Sequence, residues 1–249
     1  DGFCGTGMTG IAAQLTGRYA ILCDLSPAAS FFACNYNTPI SAEDFKRESK
    51  SILGKVRAEC DWMYETRHLD GRLGRIKYTI WSDVFLCPYC SEDIVFWDTA
   101  LDHRVGKVRR KPNCPRCNAE MTKRDLIHAT ERVYDRALQS EIERARQVPV
   151  LIKYTVGRER FEKKPDADDL ALIQKIENSE IPYWYPTYRV PAGDEARRND
   201  SIGLTHAHHF LTHRNLWGLA SIWKHINQVQ GAVLQNRLKF AFTGSLRQL

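Results

Sequence analysis

Two Cys-x-x-Cys pairs, Cys87-Pro-Tyr-Cys90 and Cys114-Pro-Arg-Cys117, stand with 23 residues between them and constrain this chain more than any other feature. Four thiolates carried on two tight turns form a tetrahedral cage, and short β-like pieces, Ile76–Trp81 and Ile94–Trp97, are interleaved with the pairs. That arrangement predicts a zinc ribbon, with Zn–S bonds near ~2.3 Å and no open coordination position, hence a structural Zn2+. A redox Cys-x-x-Cys would want a thioredoxin-like βαβ context, and an iron–sulfur cluster would want tighter cysteine clustering. The remaining cysteines, Cys4, Cys23, Cys34 and Cys60, are scattered, and eight in 249 residues are too few for a disulfide scaffold.

The charge is concentrated beside the same pairs. Net charge is +6, yet residues 104–124 hold eight Arg or Lys against Glu120, so this segment contributes +7 and the rest is about neutral. A local patch of this kind points to a polyanionic partner. Arg109, Arg110 and Lys111 are the candidates for gripping DNA phosphates without reading bases, with a merely solvated surface as the alternative. At 43% hydrophobic and 27% charged residues, the composition excludes a disordered or collagen-like chain. No apolar run nears the ~18 residues of a membrane span and no signal peptide opens the chain, so a soluble cytoplasmic protein without a membrane partner is expected.

The chain opens on Asp1-Gly-Phe-Cys-Gly-Thr-Gly. Gly5 and Gly7 allow a sharp turn and leave room beside the backbone, and the helix that follows (Met8, Ile11, Ala12, Leu15) aims its first N–H groups at whatever occupies that room. Tyr19–Asp24 reads as a buried parallel strand, and Ser26-Pro27 starts another helix. Asp24, seventeen residues after Gly7, ends that strand, where a carboxylate can accept hydrogen bonds from ribose hydroxyls. A plain structural turn is the alternative. The turn–helix–strand–helix order predicts a doubly wound α/β sheet. Further along, the patterning predicts helices over 41–63, 166–179, 212–228 and 232–242 and a strand over 148–156.

Asp1-Gly-Phe-Cys-Gly-Thr-Gly-Met-Thr-Gly, with Leu15-Thr-Gly-Arg18 and Ile21-Leu-Cys-Asp24, resembles the AdoMet-binding motif of amino-group DNA methyltransferases, over roughly residues 1–37. Gly2 stands where that family has Pro. The cysteine-bearing insertion and the Phe210-x-Thr-x-Arg-Asn-Leu216 helix start resemble a large bacterial subgroup of those enzymes. The resemblance implies a partial Rossmann-like AdoMet-dependent methyltransferase core with an inserted β-rich zinc ribbon, divided as 1–69, 70–125 and 126–249. It implies S-adenosyl-L-methionine as cofactor and methyl transfer to an exocyclic amine of adenine or cytosine. Phe3, Gly5 and Gly7 would shape the pocket for the methionine part, Asp24 would anchor the ribose, and Asp1 would contact the cofactor's amino group or orient the loop.

The family also needs Asp/Asn-Pro-Pro-Tyr/Phe to hold the flipped-out amine, and the chain has no Pro-Pro dipeptide. The expectation is therefore an incomplete piece, without its first strand and catalytic loop, that transfers no methyl group alone, any restriction partner being unspecified. The competing class is a non-enzymatic zinc-ribbon nucleic-acid-binding protein; an RNA or protein methyltransferase is a third. His206-x-His208-His209 with His213 has no carboxylate close in sequence and reads as core or surface histidines. Arg214 and Asn215 read as local capping and packing, and Tyr183-Trp184-Tyr185 as a packed loop that could alternatively stack on bases.

Overall fold

The computed structural model describes residues 1–102, 106–109, 111–122 and 124–246. Helices α1 (Met8–Leu15), α2 (Pro27–Asn37) and α3 (Ala42–Cys60) come first. A β-rich stretch follows: β1 (Glu65–Arg67), β2 (Leu73–Leu86), β3 (Asp93–Val95), a short α4 (Phe96–Ala100), β4 (Leu101–Asp102) and β5 (Lys107–Val108). It continues with β6 (Ile127–His128), β7 (Thr130–Asp135), β8 (Ser140–Ala145), β9 (Gln147–Val156) and β10 (Glu159–Lys163). The chain ends on α5 (Ala167–Asn178), α6 (Asp194–Asp200), α7 (His213–Asn227) and α8 (Ala232–Ser245). No described helix is long and apolar enough to cross a membrane. Two compact units result, one of Asp1–Asp61, Ile181–Trp184 and Trp217–Leu249, the other of Trp62–Glu180 and Tyr185–Leu216.

The first unit is helical. Ser26 and Ser41 cap α2 and α3 by accepting the Ala29 and Asp44 N–H groups at 3.4 and 3.2 Å, and Pro27 stands in the first turn of α2. Ile52, Val56 and Cys60, four apart, are the buried stripe of α3. Phe31, Phe32 and Tyr36 of α2 ring Phe240 of α8 edge-on at centroid distances of 6.1, 5.6 and 5.2 Å.

The buried strand expected over Tyr19–Asp24 is corrected: no strand forms there, and the segment is tied in a parallel sense to the chain start by three backbone hydrogen bonds, the Asp1 nitrogen to the Ile21 carbonyl, Cys23 N–H to the Asp1 carbonyl and Cys4 N–H to the Cys23 carbonyl, all at 2.9 Å. Burial does not follow, because no described strand covers it, and Tyr19, Ile21 and Leu25 are 83% or more exposed. The sheets among the described residues are all antiparallel. The chain is thus mixed α/β, and the doubly wound parallel sheet expected from the turn–helix–strand–helix order is not formed among the described residues, whose sheets are built from hairpin-like antiparallel pairs.

The second unit is built on β2, which runs through an antiparallel sheet of order β1-β2-β9-β10 and pairs at its far end with β3 and β6. Near Leu73 its inward residues join the core of Ile76, Ile152, Tyr154 and Val156. At the other end Phe85 joins Ile94 and Met121 beside Cys87 and Cys114. The strand expected over Ile94–Trp97 ends at Val95, because the Trp97 N–H turns to the Ser82 hydroxyl at 2.9 Å instead of continuing the ladder. Asp166 caps α5 in a capping box with Asp169, whose buried carboxylate takes the Thr66 hydroxyl at 2.6 Å and pairs with Lys163 at 2.8 Å.

Candidate functional site

The four paired cysteines converge. Cys87 leaves the end of β2 and Cys114 leaves an extended bridge, and each starts the same turn. Ser91 N–H donates to the Cys87 carbonyl at 2.9 Å and Asn118 N–H to the Cys114 carbonyl at 3.0 Å, and Ser91 and Asn118 take the left-handed conformation, with φ of 55° and 57°, to close their turns. Sγ of Cys87 lies 3.7 Å from that of Cys117, and Sγ of Cys90 lies 3.6 Å from that of Cys114. All four sulfurs are within 4.8 Å of one another. A tetrahedron with ~2.3 Å bonds has edges of about 3.8 Å, so the donor set fits a zinc ion. The thiols shift in opposite directions: backbone N–H groups, first that of Cys117 and, against burial, that of Arg116, pull the Cys114 thiol down to about 6, while, against the Glu92 N–H, burial and the three neighbouring thiols push that of Cys90 up to about 12. Cys87 and Cys114 are buried against Phe85, Ile94 and Met121, so the ligands belong to the core they hold.

The basic residues nearby divide. Lys111 is paired with Glu120 at 2.7 Å and Arg116 with Glu92 at 3.0 Å. Arg109 is exposed next to β5, its backbone N–H on the Ala100 carbonyl at 2.7 Å. Arg110 lies outside the described residues.

At the chain's start, Asp24 stands at the tip of the parallel pairing, its two oxygens each taking a backbone N–H at 2.9 Å, from Gly5 and from Ser26. Those N–H groups, Ser26 first, hold its carboxyl below the usual range. The glycines play different parts. At Gly7, with φ of 83°, an added Cβ would meet the Ala33 Cα at 2.7 Å, and the Asn37 amide ties α2 to the Gly7 carbonyl at 2.9 Å. Gly7 therefore permits α1 to pack on α2. The side of Gly5 that a Cβ would occupy is open, with nothing within 4 Å, so the accessible backbone is at Gly5. Asp1 is engaged inside the loop, Oδ1 with Phe3 N–H at 3.1 Å and Oδ2 with the Thr9 hydroxyl at 2.7 Å. Phe3 is 80% exposed.

Patterning in the sequence missed one constellation. Oδ2 of Asp135 lies 2.8 Å from Nε2 of both His208 and His209, and the three side chains are nearly buried. His213 instead points Nε2 at the Ser179 carbonyl at 2.9 Å, and Asn215 N–H donates to the Thr212 hydroxyl at 3.3 Å. Arg214 stacks on Tyr64 at 5.4 Å. Within the first unit, Tyr183 donates its hydroxyl to Glu59 at 2.9 Å, and burial followed by that carboxylate pushes its phenol up to about 12. Trp184 is 67% exposed. No protein-family model, no curated protein and no solved structure matches the chain.

Proposed function

We propose that this chain binds AdoMet for methyl transfer to an exocyclic amine of a base in DNA, on a Rossmann-like core interrupted by a zinc ribbon. The observation that carries the reading is the carboxylate of Asp24, fixed by the Gly5 and Ser26 N–H groups at the end of a parallel pairing. A carboxylate has about four lone-pair sites, and two backbone bonds leave acceptor capacity on both oxygens for a pair of ribose hydroxyls. AdoMet, when bound, supplies the activated methyl group. Gly5 offers its open face for close approach, while the Met8 and Thr9 N–H groups that begin α1, ahead of the Gly10 N–H that donates to the Gly7 carbonyl at 3.0 Å, favour an anionic group such as the cofactor's carboxylate. Asp1 orients the loop against α1, since its oxygens already hold the Phe3 N–H and the Thr9 hydroxyl. Holding the acceptor amine is not assigned to any residue of this chain, which has no Pro-Pro dipeptide.

Zn2+ on Cys87, Cys90, Cys114 and Cys117 has a structural role in this reading, presenting the basic loop to DNA. The competing reading, a nucleic-acid-binding zinc ribbon without cofactor, is separated by calorimetry with AdoMet. The expected result is binding by the wild-type protein, weakened roughly ten-fold or more in Asp24→Ala, the effect of losing a hydrogen bond to a charged group worth ~1.5–3 kcal/mol. No heat of binding, or an unchanged affinity in the variant, would leave the glycine loop a structural turn.

A further inference from the structure

We infer that Asp135, His208 and His209 form a second metal site, separate from the cysteine cage, that takes a divalent transition-metal ion through Oδ2 and two Nε2 atoms. The three donor atoms lie within 4.8 Å of one another, and Oδ2 is 2.8 Å from each nitrogen. Ligand bonds of ~2.1 Å meeting at a right angle place their atoms about 3.0 Å apart, so an ion needs only a small opening of the cluster. Two imidazoles and one carboxylate are borderline ligands, suited to zinc, iron, cobalt or nickel rather than to calcium or magnesium.

The surroundings orient these donors as outer partners orient metal ligands. Oδ1 of Asp135 is held by the backbone N–H groups of Ala137 and Leu138 at 2.8 and 3.1 Å, which presents Oδ2 alone. The shortest contact of His209 Nδ1 is the Gly203 carbonyl at 3.1 Å, and a proton donated there leaves Nε2 as a lone pair for an ion. Longer contacts, 3.3 and 3.4 Å, run to the Thr205 and His206 N–H groups, which suit the other tautomer of an ion-free site. The carbonyl is fixed in place because Gly203, at φ of 83°, lies so close to β8 that a Cβ would be 2.4 Å from the Glu143 oxygen. Coordination would offset the burial of three ionisable side chains, which are only 6–9% exposed. Such an ion is enclosed, and it ties the turn after β7 to the 203–210 segment.

The test is a Co2+ titration of the full chain, read by absorption. The cysteine cage gives intense thiolate-to-cobalt charge transfer, whereas a nitrogen–oxygen site adds weak visible bands without it. The expected result is two equivalents per chain, the second lost in Asp135→Asn combined with His209→Ala while the thiolate band keeps its full intensity and so reports an intact fold beside it. Saturation at one equivalent, or a second equivalent that survives in the variant, overturns the site. Should the variant also lose the thiolate band, 15N NMR of the wild-type histidines during a Zn2+ titration decides: coordination shifts in two ring nitrogens support the site, and none beyond the first equivalent overturns it.

Discussion

The exposed thiol of the cysteine cage gives the cleanest measure of what the ion contributes. Cys87 and Cys114 are each 2% exposed and packed with Phe85, Ile94 and Met121, so replacing either changes the core as well as the ligand set. Cys117 is exposed, and Cys117→Ser removes a ligand with little packing. Structural zinc in small four-ligand modules binds with ~10–16 kcal/mol, or about 2.5–4 kcal/mol for each ligand. A serine hydroxyl does not replace a thiolate here, so Zn2+ affinity should fall about a hundred- to a thousand-fold. Competition against a chromophoric chelator measures this, with Cys23→Ser as the control expected to bind as wild type. Because the ligands share a core with the apolar residues, stripping the ion from the wild-type protein should also open the 87–126 segment to a protease. A Cys117→Ser protein that binds zinc within three-fold of wild type would refute the four-thiolate site.

Two further outcomes follow from charge. Replacing Arg109, Arg110 and Lys111 with alanine should weaken DNA binding alike for all sequences and reduce the salt slope by up to ~0.9 for each phosphate no longer neutralised, with Arg109→Ala alone exceeding Lys111→Ala because Lys111 is paired with Glu120; an unchanged slope in the triple variant makes the patch mere surface. Glu59 accepts from Ser221, His225 and Tyr183 at 2.6, 2.9 and 2.9 Å, and although burial alone would raise its carboxyl, those donors hold it below the ordinary value. Its stabilisation is therefore present above the unfolded carboxylate pKa of ~4.3 and lost as pH falls through the lower folded value. The gap in urea midpoint between wild type and Glu59→Gln should shrink between pH 7 and pH 3, and a constant gap would count against the charge-assisted network.

What could be read from the sequence was whatever the chain carries within a few residues. Ser26, Ser41, Asp166 and Thr212 announce helix starts because a cap acts on an N–H two or three residues on, and each of those helices is present. The Cys-x-x-Cys turns were legible for the same reason, since each closes on itself before it meets its partner. The 14-residue length of β2 was not legible: Gly74 and the bulges at Ile76/Tyr78 and Ile80/Trp81 interrupt the alternation that would have declared it.

The histidine cluster shows the limit most sharply. Asp135 is 73 residues from His208, and a search for carboxylates near the histidines in sequence finds none. What brings them together is a chain of backbone decisions: the β7–β8 hairpin places Asp135 just before its turn, and Gly203 lets the later segment lie against β8, where Ala145 N–H donates to the Ile202 carbonyl at 2.9 Å. The sequence signals are thus a glycine and a turn rather than a metal motif. Gly203→Ala tests this directly. The new methyl would meet the Glu143 carbonyl and the Arg144 backbone at a φ that side chains rarely adopt, so the segment must move away from β8. Urea unfolding should show a loss above the ~1 kcal/mol typical of a point substitution, because strain and close approach add. The histidines should separate from Asp135 at the same time, which NMR of their ring protons would report. A variant as stable as wild type, with its histidine resonances in place, would mean that the hairpin and the 203–210 segment are held by something other than this approach.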